Sequence, residues 1–393
     1  MTPAARTLAA IELLDEVLAA ARGGGAAADT LISRYFKARR YAGAKDRREI
    51  RDLVFRAIRR AGERPESGRS ALLGLARDMP GLIETFDGSP RGAAAPVAGE
   101  PVAAAGVAPA WLLGRFDPAI PAEELPALLG RAPLDLRVNR LKGTRADALA
   151  ELAMAEPGRW SPLGLRLPEG YRVEQARAWA DGLVEIQDEG SQLICLGCEA
   201  APDMLAVDLC AGAGGKALAL AAEMGNRGRI VASDTDRGRL DRMTPRLKRA
   251  GVSIVEARLL NPQREAAMLA DVAGRADLVL VDAPCSGTGT WRRNPETRWR
   301  ITPERLARTT ALQARLLDLG AALLRPGGRL VYAVCSLLAE EGRDQAEALS
   351  RRSSLVPEPL PMPTGTASGP GLLLSPARDG TDGFFVARWQ RPC

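Results

Sequence analysis

Between residues 204 and 335 the chain repeats one pattern five times: a short apolar run, a residue capable of chemistry, and then a helical stretch. The runs cover 204–209, 229–233, 253–257, 278–281 and 329–334, and at or just beyond their ends stand Asp208, Asp234, Asn261, Asp282 and Cys335. Short apolar runs bounded by turn residues read as buried strands, and strands that alternate with helices predict one doubly wound α/β sheet. In such sheets ligands bind outside the C-terminal strand ends, where this chain concentrates its carboxylates and thiols.

The first turn reads Cys210-Ala211-Gly212-Ala213-Gly214-Gly215-Lys216 and opens a helix from Ala217. Glycines there let the backbone approach a ligand without interference from Cβ. A phosphate loop would need Gly-x4-Gly-Lys-Ser/Thr, and Cys210 and Ala217 break it at both ends. The dinucleotide spacing Gly-x-Gly-x-x-Gly fails as well, because Ala217 takes the last place. Asp234 lies about twenty residues beyond the glycines, where an acidic residue suits ribose hydroxyls. A Gly-rich first turn with acidic residues after the second and fourth strands points to S-adenosylmethionine.

Past the fourth strand the chain reads Asp282-Ala-Pro-Cys285-Ser-Gly-Thr-Gly, and past the fifth stands Cys335. An isolated Asp-x-x-Cys is more often a sharp turn with a buried thiol. Two thiols and a carboxylate on successive strand ends fit something more specific. Carbon 5 of cytosine accepts a methyl group only after a thiolate adds at carbon 6 while an acid protonates ring nitrogen 3. The methylated ring must then lose its carbon 5 proton and release the thiol. Cys335, Cys285 and Asp282 supply that kit, although spacing does not rank the two thiols. Enzymes that methylate exocyclic amines carry an aromatic residue where Cys285 stands.

The chain contains no histidine, which excludes Ser-His-Asp and Cys-His hydrolases, His-ligated zinc and His general bases. Cys195 and Cys198 have no second pair at zinc spacing, so they read as helix-face thiols and no metal is expected. Six cysteines in 393 residues without paired spacing fit a reducing cytosol. No stretch approaches the roughly 18 apolar residues of a membrane span. Glu12, Asp15 and Glu16 among the first apolar residues exclude a signal peptide, so a cytoplasmic, membrane-free protein is expected. The net charge of +6 favours a polyanionic partner, RNA above all.

Length predicts more than one domain. Residues 1–90 show helical periodicity at Leu14, Val17 and Leu18 and again at Ile50, Leu53, Val54 and Ile58. Between these lies a basic stretch, 34–51, interleaved with Tyr35 and Phe36; it reads equally as a solvated helix face or a grip on RNA. Residues 91–130 read as a linker, poor in charge up to 109, followed by helix. A small α+β module is expected over 131–190, with Arg137, Asn139, Arg140 and Lys142 exposed and facing RNA, and the catalytic domain over 191–393. Trp291-Arg-Arg-Asn-Pro-Glu-Thr-Arg-Trp299-Arg300 follows directly on the Cys285 loop and reads as a strand-binding surface of stacking aromatics and phosphate contacts.

The motifs 208–216, 282–289 and 332–336 resemble those of the RNA cytosine-5 methyltransferases, the bacterial Sun/RsmB type among them. Segments 186–191, 136–139 and 379–388 extend the likeness, and the helical N-terminus is similar, more diffusely, to the antitermination factor NusB. The resemblance implies a Rossmann-like S-adenosylmethionine-dependent methyltransferase domain behind a NusB-like helical domain. It implies Cys335 as the nucleophile, Cys285 as the thiol of product release and Asp282 as a contact to cytosine. The loop 210–216 with Asp234, Asn261 and Asp282 would hold the cofactor. The implied partner is 16S ribosomal RNA, and the protein is expected to be a monomer. Asn261 stands where the family often has an acidic residue, Glu340-Glu341 or Glu341-Gly342 where it has Glu-Asn, and Ala377 where it often has His. Two rivals remain: the same reaction on tRNA or another RNA, and a non-catalytic RNA-binding protein on this scaffold.

Overall fold

The N-terminal periodicity is realised in four helices, α1 (Pro3–Gly23), α2 (Ala28–Ala38), α3 (Ala44–Arg60) and α4 (Gly68–Ala76). Local signals set their ends. Thr2 caps α1 by accepting from the Ala5 amide, and Gly24 stops it in the left-handed region at φ 74°. Ser67 and Ser70 form a capping box at the start of α4. Leu14, Val17 and Leu18 of α1 and Ile50, Val54 and Ile58 of α3 meet in one buried cluster. Each such side chain contributes roughly 1.5–3 kcal/mol of burial free energy. Gly68 is obligatory in the α1–α4 packing, because a Cβ there would lie 2.3 Å from the Ile11 carbonyl oxygen.

The structure, a computed structural model, describes residues 1–393 and divides into two compact units. The first comprises Met1–Phe116, Pro121–Arg131 and Ser286–Pro303; the second comprises Asp117–Ile120, Ala132–Cys285 and Glu304–Cys393. Residues 88–109 form no helix or strand, yet run pinned along the helices of the first unit. The Ala103 amide donates to the Ser70 carbonyl, the Gly106 amide donates to that of Arg60, and Arg69 pairs with Glu100.

In the second unit, four antiparallel strands come first, β1 (Leu134–Val138), β2 (Glu156–Pro157), β3 (Gly164–Leu167) and β4 (Val184–Ile186), in the order β2-β3-β1-β4. The alternation in β1 predicts a solvated polar face, but Asp135, Arg137 and Asn139 are buried. Each is drawn in by a specific bond. Arg166 grips Asp135 with two hydrogen bonds, Arg137 Nε donates to Gln187 Oε1 at 2.6 Å, and Asn139 Nδ2 donates to the Gly182 and Ala250 carbonyls. Of the four side chains expected to face RNA, Arg140 and Lys142 alone are exposed.

The five expected strands are β5 (Leu205–Asp208), β6 (Arg229–Asp234), β7 (Val255–Leu259), β8 (Ala276–Asp282) and β9 (Leu324–Val334), all parallel in the order β7-β6-β5-β8-β9. The order reverses at β5, between β6 and β8. Beyond β9 the sheet continues antiparallel through β13 (Phe384–Gln390), β12 (Gly371–Leu374) and β11 (Thr366–Ser368), and β10 (Val356–Glu358) pairs with β13. This is a Rossmann-like methyltransferase fold. No helix is long and apolar enough to cross a membrane.

Candidate active site

The switch point puts the turn after β5 next to the turn after β8, which is where doubly wound sheets bind ligands. The β5 turn is held open from behind. The Gly212 amide donates to Asp234 Oδ2 at 2.9 Å, the Ala211 amide to the Ser233 carbonyl, and Arg246 Nη1 to the Ala213 carbonyl. Gly214 has φ 81°, and a Cβ there would meet Met243 Cγ at 2.5 Å, so no other residue fits. Gly212 is different: a Cβ there would meet nothing within 4 Å, which leaves that side of the turn clear for a ligand.

Both oxygens of Asp234 are engaged, Oδ2 by Gly212 and Oδ1 by the Asp236 amide at 2.8 Å. Asp234 therefore braces the turn, with lone pairs left on each oxygen. The Leu260 amide donates to the Asp234 carbonyl, which brings exposed Asn261 to the same sheet edge. Cys210 is half-buried, and burial, together with the carboxylates of Asp208, Asp282 and Asp234, pushes its thiol well up. It is held protonated and is a poor nucleophile.

Lys216 Nζ meets Asp282 Oδ2 at 2.6 Å, joining the β5 and β8 turns. Burial pulls the Lys216 ammonium down, but Asp282, Cys195 and Asp208 outweigh it and the net direction is up, so the ammonium stays charged. Asp208 is completely buried at the end of β5, with no well-formed hydrogen bond to either oxygen. Burial first, and then repulsion from Asp282, raise its pKa to about 7.

Strands β8 and β9 run parallel with Asp282 opposite Ala333, so Cys285 and Cys335 emerge side by side. Their sulfurs lie 3.3 Å apart, within hydrogen-bonding distance, and neither belongs to a disulfide. The sequence separates these thiols by fifty residues; strand pairing brings them together. Cys195 and Cys198 are buried on one helix, where desolvation raises the Cys195 thiol to about 11, so they are inert core residues.

The stretch 291–300 corrects the sequence expectation. Trp291, Arg298 and Trp299 are buried in the first unit, where no base can stack on them. Trp291 packs edge-on against Phe116, and Trp299 joins the cluster of α1 and α3 while its Nε1 donates to the Ala61 carbonyl at 3.1 Å. Arg298 Nη2 reaches the carbonyls of Ile58, Arg59 and Ala61 at the end of α3. The sequence gives no sign of this, because the orphan carbonyls that attract the guanidinium are some 240 residues away.

The exposed positive charge lies elsewhere in that unit. A groove of about 420 Å3 between α2 and α3 is lined by Lys37, Arg47, Arg48 and Arg51, with Ile32 and Phe36 also in its wall and Asp29 as its one acid.

The model for 16S rRNA methyltransferases RsmB/F matches residues 198–390, and the ferredoxin-like domain model of the same proteins matches 108–174. The chain belongs to the RsmB/F methyltransferase family. It is 34% identical over 287 residues to ribosomal RNA small subunit methyltransferase B of Enterobacter sp. (strain 638), covering 71% of this chain and 65% of that protein. Identity to the protein of the same name from Salmonella typhi is 35% over 289 residues, with the same coverage. The chain thus spans about 65% of the length of these curated relatives. Among solved structures, PH0851 superposes with a TM-score of 0.76 at 23% identity over 100% of this chain and 99% of its own. A methyltransferase homologue from Pyrococcus horikoshii gives a TM-score of 0.61 at 28% identity over 68% and 89%. The cofactor is S-adenosylmethionine. The open side of the turn at Gly212 and the spare lone pairs of Asp234 suit its nucleoside, and the Lys216–Asp282 pair stands at the neighbouring turn.

Proposed function

We propose that this protein methylates carbon 5 of a cytosine in RNA, with small-subunit ribosomal RNA as substrate. The observation that carries the reading is the pair of thiols 3.3 Å apart on adjacent strand ends, beside a carboxylate clamped by Lys216. In this reading the loop 210–216, Asp234, Asn261 and Asp282 hold S-adenosylmethionine, which supplies the methyl group. The Cys335 thiolate adds to carbon 6 of the ring. With Oδ2 held by Lys216, Asp282 Oδ1 is the oxygen available to ring nitrogen 3. Addition moves electron density to carbon 5, where the new carbon–carbon bond forms. Loss of the carbon 5 proton to a base then restores the double bond as the carbon–sulfur bond to Cys335 breaks. Cys285 assists this release, and its sulfur lies close enough to exchange a proton with Cys335. The target cytosine must leave its stack to reach both groups.

The helical unit serves as the RNA-binding part. Its support is the groove of Lys37, Arg47, Arg48 and Arg51, which suits phosphates, and the names of the curated relatives favour ribosomal RNA over tRNA.

The test is methyl transfer from labelled S-adenosylmethionine to unmodified 16S ribosomal RNA, with total tRNA in parallel and nucleoside analysis of the product. Label in 5-methylcytosine of the ribosomal RNA is expected. Label in tRNA alone would overturn the substrate, and label in any other nucleoside would overturn the chemistry. Cys335→Ala should abolish transfer, whereas Cys285→Ala should accumulate a protein–RNA adduct that survives a denaturing gel. An adduct in Cys335→Ala but not in Cys285→Ala would reverse the two roles.

A further inference from the structure

Two side chains that the proposed chemistry does not use connect the loops carrying the thiols. Glu341 is fully buried. Its Oε2 accepts from Ser336 Oγ at 2.6 Å, and its Oε1 accepts from Gln313 Nε2 at 3.2 Å. The same Gln313 nitrogen donates to the Pro284 carbonyl at 2.8 Å. Pro284 immediately precedes Cys285, and Ser336 immediately follows Cys335. One continuous chain of hydrogen bonds therefore runs from the backbone beside one thiol to the side chain beside the other.

The network is fixed at both ends. Tyr332 donates its hydroxyl proton to the Glu341 carbonyl at 2.6 Å, tying the turn that carries Glu341 to β9, and the Leu338 amide donates to Ser336 Oγ at 3.1 Å. Gln313 comes from the middle of the helix Pro303–Leu323, a rigid support. Both neighbours of its amide are acceptors, so Nε2 must face them, while Oε1 has no partner. A buried carboxylate and a buried amide with an unsatisfied oxygen are costly places to spend polar groups if shape were the only requirement. Apolar residues of the same size would fill the space at less cost, but they would leave the Pro284 carbonyl and the Ser336 hydroxyl without these partners.

We infer that Glu341 and Gln313 are positioning residues whose hydrogen bonds to Pro284 and Ser336 set the spacing of Cys285 and Cys335. The inference rests on the roles proposed above for the two thiols, because it explains how they come to lie within reach of one another. Neither residue is a catalytic group; each acts through the loop it holds.

The spacing can be measured without RNA. Phenylarsine oxide captures two thiols only when both sulfurs reach one arsenic, forming two arsenic–sulfur bonds and releasing water. Capture by the full chain is read by mass and by protection from iodoacetamide, with Cys285→Ser defining the background from the other four cysteines. The expected result is at least tenfold weaker capture in Gln313→Leu, and an intermediate loss in Glu341→Gln, whose amide keeps one acceptor for Gln313. With RNA and labelled cofactor, kcat should fall in the same order while KM for both substrates stays within about twofold. S-adenosylhomocysteine binding and the melting temperature identify variants that remain folded; if Gln313→Leu does not fold, Glu341→Gln carries the test. Capture and kcat equal to wild type in a folded variant would overturn the inference. Weakened capture without methylation of any RNA by the wild-type protein would uphold the spacing role and sink the proposed reaction instead.

Discussion

Two stretches of this chain, 34–51 and 291–300, have almost the same composition, arginines interleaved with aromatic rings, and they end in opposite environments. In the first, the rings of Tyr35 and Phe36 turn into the helical core while Lys37, Arg40, Lys45 and Arg48 stay in water. Arg39 lies 3.6 Å from the centre of the Tyr35 ring, on the border between the two. In the second, the rings go inward and a cation goes with them. Burial lowers the Arg298 guanidinium to about 10, yet it remains the bound, charged form at neutral pH. The difference lies in what each stretch meets. Helices α2 and α3 satisfy their own backbones along the groove, so the side chains there have nothing to cap. The C-terminus of α3 leaves carbonyls without partners at the negative end of a helix dipole, and Arg298 answers both needs. A residue type thus becomes structural or available for binding according to the unsatisfied groups around it.

Breaking the buried side of this comparison should give the largest effect. Arg298→Met is expected to destabilise the helical unit by about 3 kcal/mol, because it leaves several carbonyls without a donor. Urea unfolding of the full chain checks this, and Arg298→Lys should recover only part of the loss, since an ammonium offers a point charge in place of a planar fork. Breaking the exposed side should leave stability alone and change binding. The double substitution Lys37→Glu and Arg48→Glu is expected to weaken RNA affinity roughly tenfold or more near physiological salt and to flatten its salt dependence. The melting temperature should remain within about a degree, as for most surface changes. An unchanged salt slope would show that the groove does not take phosphates. The smallest effect sharpens the buried side further. Trp299→Phe keeps the ring but loses the bond to the Ala61 carbonyl, and about 1 kcal/mol of stability should go with it.

Much of the second unit was legible because its signals are local. Each parallel strand is a short apolar run, and each is followed within a few residues by its turn, so Asp234, Asp282, Cys285 and Cys335 could be placed at one sheet edge from order alone. Gly214 announced a tight turn for the same reason. Other features resisted because their causes lie far along the chain. The alternation of β1 predicted an outward Arg137 and Asn139, but alternation describes one sheet face against water, and here Gln187 and the Gly182 and Ala250 carbonyls stand on the other side. Gln313 sits in a helical pattern with no mark to distinguish it, since its significance comes from Pro284 and Glu341, twenty-eight or more residues distant.

The sequence by itself determined the order of the strands, the Gly-rich turn, the absence of histidine chemistry and the presence of two thiols after successive strands. These follow from periodicity and residue type, which a linear reading retains. The tertiary structure decided that the thiols lie 3.3 Å apart, that Lys216 closes on Asp282, and that Arg298 and Trp299 belong to a helical core rather than a surface. Those outcomes depend on which backbone groups remain unsatisfied when distant segments meet, and that is settled only when the whole chain has packed.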